Sequence, residues 1–224
     1  SRMMTSDTQL RWVGPEKGII HMASGAIINA VWDILAKSQN KPLWQLVSDM
    51  SPEQISGSID FRHITDFLNK DEANEILHSH HKTKQHRFSK LEKEGYPCYV
   101  TSAGWLGYSD EKLKRLCIEA KESGFEYVKL KVGKNLKDDI RRLEIARTTL
   151  GPDIKIMIDA NQVWEVEQAI KWMKSLSEFN PYFIEEPTSP DDIIGHKKIR
   201  EAIHPIKVAT GEAVQNRIIF KQLI

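Results

Sequence analysis

The chain has 224 residues, with 32 Lys plus Arg against 31 Asp plus Glu, a 40% hydrophobic share and 28% charged residues. This length suits one large domain or one domain with part of another, and the composition is ordinary for a globular protein. The balanced charge gives no field that would draw nucleic acid or anionic lipid, so neither is an expected partner.

Residues 1 to about 15 are polar, end at Gly14-Pro15 and lack the apolar core of a signal peptide. From Lys17 to about Gln39, the apolar positions Ile20, Ala23, Ile27, Ala30, Val31, Ile34 and Leu35 recur at helical spacing and predict one buried stripe, with Trp32 in the core. No apolar run here or elsewhere is read as long enough to span a bilayer, so no membrane contact is expected. Pro42 stops this helix, and a short return helix or turn follows to Val47. Residues 57 to 67 read as an irregular connector. Residues 70 to 94 hold two charged helical stretches around HSHHKTKQH, whose histidine spacing fits no compact ligand set and reads as a solvated loop. His21 and His63 read as packing or capping residues. Gly95-Tyr96-Pro97 marks a boundary, dividing the chain into 1–95 and 96–224.

Beyond that boundary the period changes. Short apolar strands are expected at 99–103, 127–132, 154–159, 182–185 and 207–210. They alternate with helices at 109–122, 136–150, 166–177, 191–203 and from Asn216 onward. Ser109 reads as an N-cap, Gly124 as a helix stop and Gly151-Pro152 as another. Strict alternation means βαβ units on a parallel sheet, hence an α/β fold. A closed barrel of this kind needs eight units and typically about 250 residues. Either an open doubly wound sheet or part of a barrel satisfies the pattern. The expectation is a partial (β/α) TIM-type barrel with about five of the eight units. Cys98 and Cys117 fit neither a disulfide framework nor a thiolate metal site and are expected to be inert, in a reducing intracellular setting.

Three strings, IMIDAN, FIEEP and VATGE, each place an acid at the expected end of a strand: Asp159, Glu185 and Glu212, 26 and 27 residues apart. In a parallel barrel, acids at this spacing converge on the carboxyl rim, where such enzymes keep their active sites. Crowded carboxylates repel unless a cation neutralises them, and all-oxygen ligation suits Mg²⁺. Such a cation can bind a substrate carboxylate and stabilise the enediolate formed as the α-proton leaves. Lys129 and Lys131, in VKLKVG, share one face of the second strand. A second ammonium, the cation and partial burial make a neutral amine accessible at Lys131, the candidate base, with Lys129 acting electrostatically. Asn161, two residues past Asp159, is a candidate hydrogen-bond partner for a substrate hydroxyl or for Lys131. Trp105 follows the first strand at the rim and is a candidate pocket wall. Glu186 is expected to point outward, behind the site.

On these residues the chain resembles the enolase superfamily, specifically its mandelate-racemase-like branch. That superfamily is a known case of a Lys or His base working with Mg²⁺ on an enediolate. The resemblance assigns the acid/base role to Lys131 and the metal to Asp159, Glu185 and Glu212. Longer strings, GPEKGIIHMASGAIINAVWDILAK, IDFRHITD, WLGYSDEKL, EEPTSPDDIIGH and ATGEAVQNR, resemble the L-fuconate dehydratases and extend the likeness over nearly all of residues 14 to 224. Implied are part of an α+β capping domain in the first half and dehydration of a small sugar acid, L-fuconate, to its 2-keto-3-deoxy product. A symmetric homo-oligomer and a mitochondrial location are implied as well. The family pattern also has a longer N-terminal stretch and three further strands bearing a His-Asp pair, so this chain reads as a fragment whose activity alone is in doubt. Ala213-Val214-Gln215 departs from the polar run usual before Asn-Arg, which bears on substrate choice. A racemase or cycloisomerase would use the same metal and lysine. A non-catalytic scaffold with unpaired sheet edges and a Schiff-base aldolase using Lys131 are the readings from other classes.

Overall fold

The computed structural model describes residues 18–224. The polar N-terminal stretch and the expected helix start at Lys17 lie outside them. The chain divides into two units: the described residues up to Gly95 together with Gln215–Ile224, and Tyr96–Val214.

The second unit is a five-stranded parallel sheet in the order β1 (Val100–Gly104), β2 (Tyr127–Lys131), β3 (Lys155–Asp159), β4 (Pro181–Glu185) and β5 (Lys207–Ala209). Four helices connect the strands: Asp110–Glu122, Leu136–Leu150, Val166–Leu176 and Ile193–Ala202. Local chemistry sets their ends. Ser109, Asn135 and Asp192 each accept a backbone N–H in the first turn, and Gly124 and Gly151 take the left-handed conformations that end the first two helices. Side chains alternate along each strand. Val128, Leu130, Ile156, Ile158 and Ile184 are fully buried with Leu113, Leu143, Ala146, Met173, Leu176 and Ile199 from the helices. Burying each such aliphatic side chain contributes roughly 1.5–3 kcal/mol before the ordering cost. The opposite parity therefore carries Lys129, Lys131, Asp159 and Glu185 to the other face. These findings establish the α/β fold with a partial barrel sheet.

The first unit is helical: Ile19–Ser38, Leu43–Asp49, Pro52–Gly57, Lys70–His81, Lys84–Glu94 and Arg217–Leu223. Expectations for three segments fail here. The stripe on Ile19–Ser38 is not buried: Ala36 alone on this helix is, Trp32 is half-buried, and Ile27, Val31 and Ile34 are more than half exposed. Periodicity marks the face that would be covered, but no described element covers it. This 20-residue helix is also long and apolar enough, by length and composition, to cross a membrane, contrary to the sequence expectation. The same test is passed by core helices of soluble proteins, and Asp33 and Lys37 form an ion pair on it at 2.7 Å. Second, HSHHKTKQH is not a loop: helix breaks only at Lys82-Thr83, because a capping box between Asn69 and Glu72 starts one helix and the next begins at Lys84. Third, the last helix does not continue the βα series. Asn216 caps it, Arg217 donates to the Arg62 carbonyl and pairs with Asp60 at 3.1 Å, and Lys221 pairs with Asp66 at 2.9 Å.

Candidate active site

Register builds the site. Lys131 lies beside Asp159, Asp159 beside Glu185, and Glu185 beside Ala209, so four strands end in one row. Lys131 Nζ donates to Asp159 Oδ2 at 2.6 Å. Lys129 Nζ donates to Glu185 Oε2 at 2.6 Å and lies 3.3 Å from Asp159 Oδ2. Asp159 is 3% exposed and Lys129 7%, so these ion pairs are screened by protein rather than by water. Burial works against the Lys129 charge, but the hydrogen bond and charge of Glu185, followed by the charge of Asp159, outweigh it and hold the ammonium above its ordinary range. Lys129 is therefore a fixed cation, suited to an electrostatic role and unsuited to taking a proton.

Two aromatic rings flank the lysines. Trp105 lies with its ring centroid 5.8 Å from Lys131 Nζ. Tyr99 lies 5.2 Å from Lys129 Nζ, and the sequence reading missed it. Its only sequence signal was parity: an aromatic residue just before the first strand, with no motif around it.

Other expected members sit differently. Asn161 is exposed and in the left-handed region at φ 48°, so the period-two alternation ends at Asp159 and its side chain makes no hydrogen bond to Lys131. What it supplies is its backbone N–H, which donates to Asp159 Oδ1 at 2.9 Å. Gln162 and Glu186 are left-handed as well. Glu186 is buried, accepting from Gln162 Nε2 at 3.0 Å, while its backbone N–H donates to the Ala209 carbonyl at 2.9 Å. Such non-glycine conformations persist only where the surroundings over-determine them, here at the strand rim. Glu212 does not join the row. β5 ends at Ala209, and Glu212 lies exposed in the following turn.

Among the described residues, no group of three His, Cys, Asp or Glu side chains is arranged to hold a metal. The donor chemistry nevertheless suits a hard divalent cation. Asp159 and Glu185 offer carboxylate oxygens that already converge on one cationic atom, Lys129 Nζ. Of the three acids expected to bind a metal, Asp159 and Glu185 are side by side and Glu212 stands apart in the turn after β5.

A parallel sheet with helices packed on one face, and paired lysines and acids at the carboxyl ends of its strands, defines a barrel-type enzyme scaffold. Residues 112–224 match the family described as enolase C-terminal domain-like, and the chain belongs to that family. It is 54% identical to L-galactonate dehydratase of Hypocrea jecorina over 228 residues, covering 100% of this chain and 51% of that protein. The crystal structure of human mitochondrial enolase superfamily member 1 superposes with a TM-score of 0.95 at 51% identity, covering 99% of this chain and 51% of that one. The crystal structure of L-talarate/galactarate dehydratase from Salmonella typhimurium, liganded with Mg and L-lyxarohydroxamate, matches with a TM-score of 0.53 at 35% identity, over 57% of this chain and 34% of that one. The chain spans about half the length of the curated relatives it matches.

Proposed function

We propose that this chain carries the base and the metal-ligand row of a Mg²⁺-dependent sugar-acid dehydratase, a hydro-lyase. The observation that carries the reading is the row Lys131–Asp159–Glu185 with Lys129 behind it at the carboxyl ends of parallel strands. Asp159 and Glu185 would hold the cation, with Glu212 as the third donor. When bound, it supplies positive charge opposite the substrate carboxylate, where negative charge develops as the α-proton leaves. Lys131 takes that proton at Nζ, held at the rim beside Asp159. Lys129, cationic throughout, steers the substrate carboxylate and offsets the carboxylates around it. Trp105, its ring 5.8 Å from Lys131 Nζ, would form a wall of the pocket beside the base.

Two names bear on the substrate, L-fuconate from the sequence resemblance and L-galactonate from the fungal relative. L-fuconate is the 6-deoxy form of L-galactonate, so both present the same configuration at the carbons where proton and hydroxyl depart. We assign the substrate to this pair of sugar acids, with L-fuconate as the specific expectation. The mitochondrial name of the human relative supports a mitochondrial location.

The exposed position of Glu212 favours a second reading, in which this chain by itself is non-catalytic. Isothermal titration with Mg²⁺, together with deuterium exchange at the α-carbon of L-fuconate and L-galactonate, separates the two. The proposal expects binding that Asp159→Asn removes, and exchange that Lys131→Met removes. Binding with no exchange in the unmodified chain leaves the scaffold reading standing, and absence of both overturns the site.

A further inference from the structure

Behind the site lies a buried charge that the proposed chemistry does not use. Arg142, on the helix Leu136–Leu150, is 1% exposed. Its Nη1 donates to the Lys131 carbonyl at 2.6 Å, and its Nη2 to the carbonyls of Gly104 at 2.7 Å and Trp105 at 3.0 Å. We infer that Arg142 is a positioning residue that fixes the backbone beneath Lys131 and Trp105 and thereby aims the base. The inference rests on the reading of Lys131 as the base.

The strand pairing explains why a guanidinium is needed. β1 and β2 are out of register between Val100, opposite Val128, and Gly104, opposite Leu130. A regular parallel ladder cannot serve the carbonyls beyond such an irregularity, and buried carbonyls without a donor are costly. The strands also approach closely here: a Cβ on Gly104 would lie 2.3 Å from Leu130 Cγ. Only a planar fork with five donors can reach three carbonyls from two strand ends at once.

One turn earlier on the same helix, Asp139 is fully buried and accepts from the Gly133 N–H at 2.8 Å and from Trp172 Nε1 at 3.1 Å. The Val132 N–H donates to the Asp159 carbonyl at 2.9 Å. The backbone from Lys131 to Gly133 is therefore gripped at three successive points, two of them from this helix. Burial holds the Asp139 carboxyl above its ordinary range, opposed by the Gly133 and Trp172 hydrogen bonds, and pulls Arg142 below its own. The Arg142 and Asp139 charges are 3.8 Å apart, and Asp139 Oδ1 and Arg142 Nε have no hydrogen-bond partner among the described residues. As a stabilising device this pair is poor, since apolar residues of similar volume often serve a core as well or better. As a device for holding three carbonyls it has no apolar substitute.

The test compares Arg142→Met, Arg142→Lys and a core control, Leu143→Ala, in the full chain. The readouts are the lysine side-chain NMR resonance of Lys131, assigned by its loss in Lys131→Arg, and the kcat and KM of α-proton exchange on L-fuconate across pH. Arg142→Met is expected to displace the Lys131 resonance and lower kcat by about 100-fold with little change in KM, as a displacement of about 1 Å of a reacting group does. Arg142→Lys should fall between it and the unmodified chain, because an ammonium reaches fewer carbonyls, and it decides the matter if Arg142→Met does not fold. Leu143→Ala should lower stability without moving the resonance or the pH profile. If the Arg142 variants change stability alone, as Leu143→Ala does, Arg142 is only a brace and the inference is overturned. If the unmodified chain shows no exchange, the functional reading fails separately, and the Lys131 resonance still decides the role of Arg142.

Discussion

The two units treat apolar sequence in opposite ways. In Tyr96–Val214, the aliphatic residues of three neighbouring strands and the helices between them are sealed together at essentially zero exposure. In the helical unit, an equally periodic stripe on Ile19–Ser38 stands open, with Val31 59% exposed. Apolar periodicity thus reports which face of an element would be buried. Whether it is buried depends on a partner surface, which no single element encodes.

The contrast breaks most easily in the sheet. Leu143→Ala removes a fully buried side chain and should cost about 2–5 kcal/mol in a urea melt, whereas Val31→Ala should stay within about 0.5 kcal/mol. Equal losses at the two positions would show that the stripe is covered in solution and erase the comparison. Gly104→Ala comes next: its Cβ would also lie 2.8 Å from the Leu130 backbone, so overpacking should cost about 1–3 kcal/mol, read by the same melt.

Smaller effects sharpen the electrostatic side of the contrast. In the helical unit the Asp49 carboxyl accepts hydrogen bonds from Lys41 and Lys84, which hold it at about 2 against an ordinary 3.8. A depressed acid stabilises the fold above its ordinary value and loses that contribution as pH falls toward its folded value. Helicity followed by circular dichroism should therefore show a shallow loss between about pH 4 and 2 that Asp49→Asn removes. In the sheet unit, burial pushes the Cys117 thiol up to about 11, while Cys98 is exposed. Alkylation at neutral pH should label Cys98 and spare Cys117 until the protein unfolds, as mass spectrometry would show. Rapid labelling of Cys117 in the native protein would contradict the sealed core.

Much of the sheet unit was legible because each element carried its own signals. Caps such as Ser109 and Asn135, the stops at Gly124 and Gly151, and apolar runs of strand length are local chemistry, and the strands fell within a residue or two of expectation. The convergence of Lys129, Lys131, Asp159 and Glu185 was legible for the same reason: parity and repeat length fix the face and the rim. Glu212 lies in the turn three residues past the end of β5, and the left-handed Asn161 breaks the alternation by which its side chain was expected on the site face. Tyr99 and Arg142 were missed because nothing within a few residues of either marks it.

By itself, the sequence determined the α/β alternation, the strand faces and the family, since these follow from periods of two and 3.6 and from short motifs that act within one element. Only the tertiary structure decided that the acids pair with lysines in one row, that a guanidinium stands beneath the candidate base, and that the helix Ile19–Ser38 keeps its apolar stripe exposed. Each of these depends on the distance between chain segments far apart in sequence, and that distance is set by packing and register rather than by local preference.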